Sequence, residues 1–235
     1  MKRGRLMRGC RCRMMSKEGA GGGYPKPPSA KVMRRRIRSI LDNYTHGWDI
    51  LAELSQNSVD SFTRFRKNHQ GVEKKFEIII RINKIDRSIS WYDNGTGFPG
   101  KDWEDLLSPD GTDKDEEEDE LGEKGVGLKF CIFSSDGFKL NSESADGRFR
   151  LDIEGANDWL QDDCEEFMEP DSELTETEID PKDFRTVIWI NGFHDISEEN
   201  GDMHGIFDQS VETIEFWLRS YTAVGQIGAY LGRED

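Results

Sequence analysis

The chain has 235 residues, 34% of them apolar and 34% charged, with a formal net charge of −15. That length holds one sizeable domain or a domain with a short attachment, and the low apolar fraction leaves room for long solvated segments. No apolar run approaches the ~18 residues of a membrane span, and the Arg-rich start lacks the apolar stretch of a secretory signal, so a cytoplasmic protein with no membrane partner is expected.

Charge is distributed unevenly. Residues 1–38 hold 13 Lys or Arg and one acid, Glu18, for a net of +12; the remainder carries 19 bases and 46 acids, for a net of −27. The body should repel nucleic acid, and only the tail 1–38 could attract it. Residues 1–30 read as a basic, Gly/Pro-rich disordered tail and linker, with one domain over 31–235. Met14 and Met15 offer later starts. Cys10-Arg-Cys12 has no second pair to complete a zinc site, and with Cys131 and Cys164 far away, reduced thiols are expected.

A basic helix is predicted over about 31–43 and a second over about 47–67, where Ile50, Leu51, Leu54, Val59 and Phe62 follow a helical stripe. The period then changes. Phe76 to Ile82 reads as a strand, 83–86 as a turn, and Ser88 to Tyr92 as the returning strand. Phe98 to Leu121 is poor in apolar residues, and seven of the eight residues Asp113 to Glu120 are acidic, so a mobile loop is expected there. A short helix over 125–133, strands near 137–142 and 147–153, and an acidic, irregular insert over 154–183 follow. Thr186 to Ile190 reads as a strand, and 206–221 as a closing amphipathic helix, with Phe216 and Trp217 as packing residues. The order implies an α+β sandwich with helices on one face of a mixed, mostly antiparallel sheet. His46, His69, His194 and His204 show no metal-ligand spacing.

Three clusters carry chemistry. The first runs from Glu53 to Asp60. Glu53 and Asn57 are one helical turn apart, and Asp60 follows three residues on, so all three share a face. An amide oxygen from Asn57 suits Mg²⁺, which takes few protein ligands beside phosphates and waters. A carboxylate one turn away can polarise a water. The same pattern also describes a solvated polar face.

The second is Asp93-Asn94-Gly95-Thr96-Gly97-Phe98-Pro99-Gly100. A strand delivers a carboxylate to a glycine turn, where it can accept from an exocyclic amine such as adenine's, and glycines let backbone approach a flat ring. Gly95, Gly97 and Gly100 also spell the dinucleotide fingerprint, but Pro99 sits where the phosphate-binding helix would begin and no βαβ pattern follows. A plain β-turn is the other alternative.

The third is Gly122-Glu123-Lys124-Gly125-Val126-Gly127-Leu128-Lys129. Glycine-rich backbone entering a helix presents N–H groups to an anion, and Lys124 and Lys129 add charge. No Walker A pattern occurs.

In this order and spacing, over residues 45–192, the three clusters resemble the GHKL superfamily: type II topoisomerase ATPase subunits, mismatch-repair ATPases, ninety-kilodalton heat-shock chaperones, MORC proteins and histidine kinases. The resemblance implies a Bergerat-type two-layer sandwich that binds ATP with Mg²⁺. It implies Glu53 as general base, Asn57 as magnesium ligand and Asp60 as a supporting pocket residue. Asp93 would read the adenine amine, with Gly95 and Gly97 shaping that wall. Residues 98–121 would form the ATP lid, and Gly122, Lys124, Gly125, Val126, Gly127 and Lys129 the phosphate cradle. Thr186 resembles the family's adenine-side threonine, although Arg185 stands where a glycine usually precedes it. Histidine kinases usually carry Asn at the position of Glu53, so the resemblance favours the hydrolysing branch. It further implies ATP-dependent homodimerisation, which equal elution volumes with and without a non-hydrolysable analogue would contradict. Relatives carry a second domain with a lysine that reaches the γ-phosphate. The sequence ends at Asp235, so a partner or further sequence is expected to supply that lysine, or turnover to be slow. Two other readings are a nucleotide-dependent switch without hydrolysis and a nucleic-acid-associated ATPase acting through the tail.

Overall fold

The computed structural model describes residues 29–44, 46–101, 103–107, 126–161, 165–193 and 205–226. Helix α1 (Ala30–Leu41) starts where the Ser29 hydroxyl accepts the Val32 N–H, a standard N-cap. It buries Ala30 and Ile37 and sends the Arg34 guanidinium over the Trp159 ring, while Arg38 donates to the Leu160 carbonyl. The basic segment's last turns are therefore part of the folded body. The tail before residue 29 lies outside the described residues.

Helix α2 (Asp49–Asn68) opens with Asp49 and closes with Arg66 and Lys67, charges that complement its dipole. Its buried stripe runs through Ile50, Leu51, Leu54, Ser58, Phe62 and Phe65. Strands β1 (Ile78–Asn83) and β2 (Ser88–Asp93) form a hairpin whose turn is held by the Asn83 side chain accepting the Ile85 N–H at 3.0 Å. After β2 the chain crosses the end of the sheet and makes one 3₁₀ turn at Trp103–Leu106. Among the described residues of the expected lid, Phe98, Trp103, Leu106 and Leu107 pack on the body instead of standing clear, because they are apolar enough to join the core. The acidic run and the rest of the lid lie outside the described residues.

Helix α3 (Val126–Phe133) is buried almost throughout. Strands β3 (Ser135–Ser144) and β4 (Gly147–Glu154) pair as a hairpin. The segment expected to be an irregular insert over 154–183 carries regular structure in part of its described residues. It holds α4 (Ala156–Gln161), a fifth strand β5 (Asp171–Thr175) paired to β4, and a 3₁₀ turn at Pro181–Asp183. Acidic residues on an edge strand face water, so composition there did not register as a strand. Strand β6 (Arg185–Phe193) is followed by α5 (Gly205–Asp208) and α6 (Val211–Tyr221). The single helix expected over 206–221 is thus two, because the Ser210 hydroxyl accepts the Thr213 N–H and starts a new helix. Trp217 packs on Trp48 at 5.0 Å, whereas Phe216 is 63% exposed and meets the Tyr221 ring edge-on at 6.4 Å instead of entering the core.

The six strands form one sheet in the order β1-β2-β6-β3-β4-β5, with every pairing antiparallel rather than mixed. The fold is α+β: an open antiparallel sheet with helices packed against it. No described helix is long and apolar enough to cross a membrane.

Register decides what the helices cover. Ile89, Ile190, Phe138 and Ile153 stand side by side across four strands, and Trp91, Ile188, Leu140 and Leu151 form the next row. Both rows are buried in the core that includes Leu51, Leu54 and Phe130. Because side chains alternate with period 2, the next row on the same face is Asp93, Thr186, Ser142 and Phe149. The helix-covered face therefore ends in a row of three polar groups.

Candidate functional site

Asp93 closes β2 in that row and is 5% exposed. One carboxylate oxygen accepts the Gly95 N–H at 3.0 Å and the other accepts the Ser58 hydroxyl at 3.2 Å. The same hydroxyl oxygen accepts the Trp91 indole N–H at 2.9 Å, which fixes its direction. Burial pushes the Asp93 carboxyl up to about 6, against the opposing pull of the Gly95 and Ser58 hydrogen bonds. Lys74 lies close enough to add a favourable charge. Its own amine is lowered to about 8 by burial, and it donates to the Pro181 and Phe184 carbonyls at 3.1 and 2.8 Å.

After Asp93 the backbone presses against α2 and then β3. The Thr96 N–H donates to the Ser61 hydroxyl at 2.9 Å, and a Cβ on Gly95 would stand 2.1 Å from that oxygen. Gly97 has φ +73°, and a Cβ there would meet the Glu143 carbonyl oxygen at 2.2 Å. Only glycine suits that position. Ser142, in the polar row, accepts the Phe98 N–H at 2.7 Å and anchors the chain as it leaves the turn. Thr186 is buried directly across from Asp93 on β6.

The first and third clusters also meet. Glu53 is half-buried on α2, and a Cβ on Gly127 would lie 1.7 Å from its Oε2. A side chain on α3 at 127 would occupy the space the carboxylate now fills. The other oxygen accepts the Tyr44 hydroxyl at 3.0 Å. Tyr44 stacks on Phe130 with ring centroids 3.9 Å apart and planes 8° from parallel. Burial and the adjacent Glu53 hold the Tyr44 phenol well above its ordinary range, and the same two causes push the buried Cys131 thiol up.

The sequence-predicted residues thus divide. Glu53 and Gly127 touch, Asp93 is hydrogen-bonded to Ser58, and Gly95 lies against Ser61, both serines belonging to α2, the helix that also carries Glu53. Thr186 stands beside Asp93, and Gly97 against β3. Asn57 is exposed on α2, and Asp60 is buried and accepts the Gln56 amide at 3.1 Å. Val126 opens α3 half-buried. Lys129 is fully buried in α3, so its amine is not presented at the surface as a phosphate-side charge. Gly122, Lys124 and Gly125 lie outside the described residues. Sequence reasoning passed over Tyr44, Ser58, Ser61 and Ser142. Ser58 and Ser61 fall on the sheet-facing stripe of α2, a signal available from their spacing to Leu54 and Phe65. Tyr44 and Ser142 carry no such mark, because their roles come from partners far off or on another element.

Compared with models of known protein families and with curated proteins, the sequence matches none.

Proposed function

We propose that this chain binds ATP with Mg²⁺ and hydrolyses it, in a Bergerat-type sandwich whose pocket is bounded by α2, the Asp93 turn and the N-terminus of α3. The observation that carries this reading is that three clusters far apart in sequence share α2 as a common wall. Ser58 and Ser61 hold the Asp93–Thr96 turn from one part of the helix, and Glu53 reaches Gly127 from another.

Donor chemistry supports the fit. Asp93 is a buried carboxylate whose partners are two donors, and it is the acceptor suited to an adenine amine. Thr186 stands across from it on β6, and Gly97 holds the following turn against β3. The start of α3, with Val126 and Gly127, supplies backbone N–H groups at a helix N-terminus for phosphate oxygens. Asn57, exposed one turn after Glu53, would hold the magnesium ion through its amide oxygen. That ion would supply charge neutralisation along the phosphates.

In the reaction, Glu53 takes a proton from a water molecule. The water oxygen forms a bond to the γ-phosphorus, the bond from that phosphorus to the bridging oxygen breaks, and ADP and phosphate result. Positioning and electrostatics do most of the work. The test is a phosphate-release and nucleotide-binding assay on three proteins. The parent should bind and turn over ATP. Glu53→Ala should keep affinity within a few-fold and lose turnover by at least ~100-fold, within the range for a missing general base. Asp93→Asn should lose binding. Parent-like behaviour in both variants would show the pocket to be misassigned.

A further inference from the structure

We infer that Tyr44 is a positioning residue for Glu53, holding the carboxylate in the orientation that its proposed role as general base requires. The inference rests on the ATPase reading above.

A glutamate's terminal torsion is soft and roughly two-fold, so an unanchored carboxylate samples a wide range of directions. Here both oxygens have neighbours from different elements. Tyr44 comes from the connection between α1 and α2, where its N–H donates to the Leu41 carbonyl at 3.0 Å. Its hydroxyl donates to Glu53 Oε1 at 3.0 Å. Its ring lies flat on Phe130 of α3. Gly127, one turn earlier on α3, leaves room for Oε2 and for nothing larger. Helix α3 therefore acts on the carboxylate twice, through the aromatic platform that holds Tyr44 and through the bare Cα against which Oε2 rests. Fixing Oε1 fixes the carboxylate plane, and with it the direction of Oε2.

The hydroxyl also bears on charge. A donor to a carboxylate favours its ionised form, the form a general base needs. Hydrogen bonds in which the acceptor is charged are the shorter and stronger kind. The phenol's elevated titration keeps it the donor across the physiological range. Tyr44 does not itself touch the reacting water in this scheme; its effect passes through Glu53.

The discriminating variant is Tyr44→Phe, which keeps the stack on Phe130 and removes only the hydroxyl. In a steady-state ATPase assay its kcat should fall roughly tenfold, with KM for ATP within about twofold of the parent and the melting temperature within a few degrees. Losing an orienting group should act on the chemical step and not on binding. A second readout needs no nucleotide. With ¹³C-labelled tyrosine, the Cζ resonance that disappears in Tyr44→Phe should shift in Glu53→Gln at neutral pH, because the acceptor changes from carboxylate to amide. An unmoved resonance refutes the contact. Parent-like kcat in Tyr44→Phe, alongside lost turnover in Glu53→Gln, refutes the positioning role while leaving the ATPase reading intact. Absence of turnover in the parent refutes both.

Discussion

Replacing Asp93 by asparagine tests a carboxyl that burial raises at the candidate site. The side chain is 5% exposed, and its carboxyl is raised from the ordinary 3.8 to about 6, chiefly by burial. At ~1.4 kcal/mol per pH unit, that difference amounts to about 3 kcal/mol. The sign follows from where the proton sits. Below about pH 4 the group is protonated both folded and unfolded. Between about 4 and 6 the folded state keeps the proton and the unfolded state releases it, so stability falls as pH rises. Above about 6 both states are ionised and the loss is complete. The amide in Asp93→Asn cannot titrate. It changes the hydrogen bonding to Ser58, which offsets the two curves by a constant but adds no slope. Urea denaturation of parent and variant from pH 4 to 7.5 should show the variant gaining about 3 kcal/mol relative to the parent across that window. A difference that stays flat to within ~0.5 kcal/mol would refute the argument that this carboxyl is held up by burial. The same ionisation should govern the ligand. If the carboxylate is what accepts the adenine amine, parent affinity for ATP should weaken by up to about tenfold per pH unit below 6.

Two glycine substitutions separate function from fold. In Gly127→Ala the new Cβ meets the flexible end of Glu53, which can swing away, and alanine is the better helix former by up to ~1 kcal/mol. Thermal melts should show stability kept or slightly raised, while phosphate release drops at least ~10-fold; parent-like turnover would show that Glu53's present position is not needed. In Gly97→Ala the Cβ meets a backbone carbonyl that cannot move aside, and φ +73° is strained for alanine. Urea titration should show at least ~1–3 kcal/mol of lost stability, and an unchanged midpoint would contradict the close approach of the turn to β3.

The helices and most strands were legible because periodicity reports burial, and burial is what they are made for. Residues 49–68 repeat apolar groups at helical spacing, and 186–190 are rich in β-branched and aromatic residues, so both elements fell within a few residues of expectation. Strand β5 was not legible. Its residues Asp171–Thr175 lie at the sheet's edge, where one neighbour and partial exposure demand little hydrophobicity. The break between α5 and α6 was missed because a single capping serine decides it. Phe216 was misread because one aromatic in an amphipathic stretch does not reveal which way it faces.

For the candidate site, local sequence determined the kinds of chemistry on offer: a carboxylate and an amide a turn apart on a helix, a carboxylate at a glycine turn, and glycines leading into a helix. Those follow from spacing along a chain of known pitch. Their meeting was decided only by tertiary structure. The sheet register places Asp93 beside Thr186 and Ser142, and α2 lies across that polar row with Ser58, Ser61 and Glu53 facing different neighbours. Tyr44 reaches Glu53 only because α3 brings Phe130 beneath its ring. Contacts between elements depend on register and packing direction, and neither is written into the periodicity of any one segment.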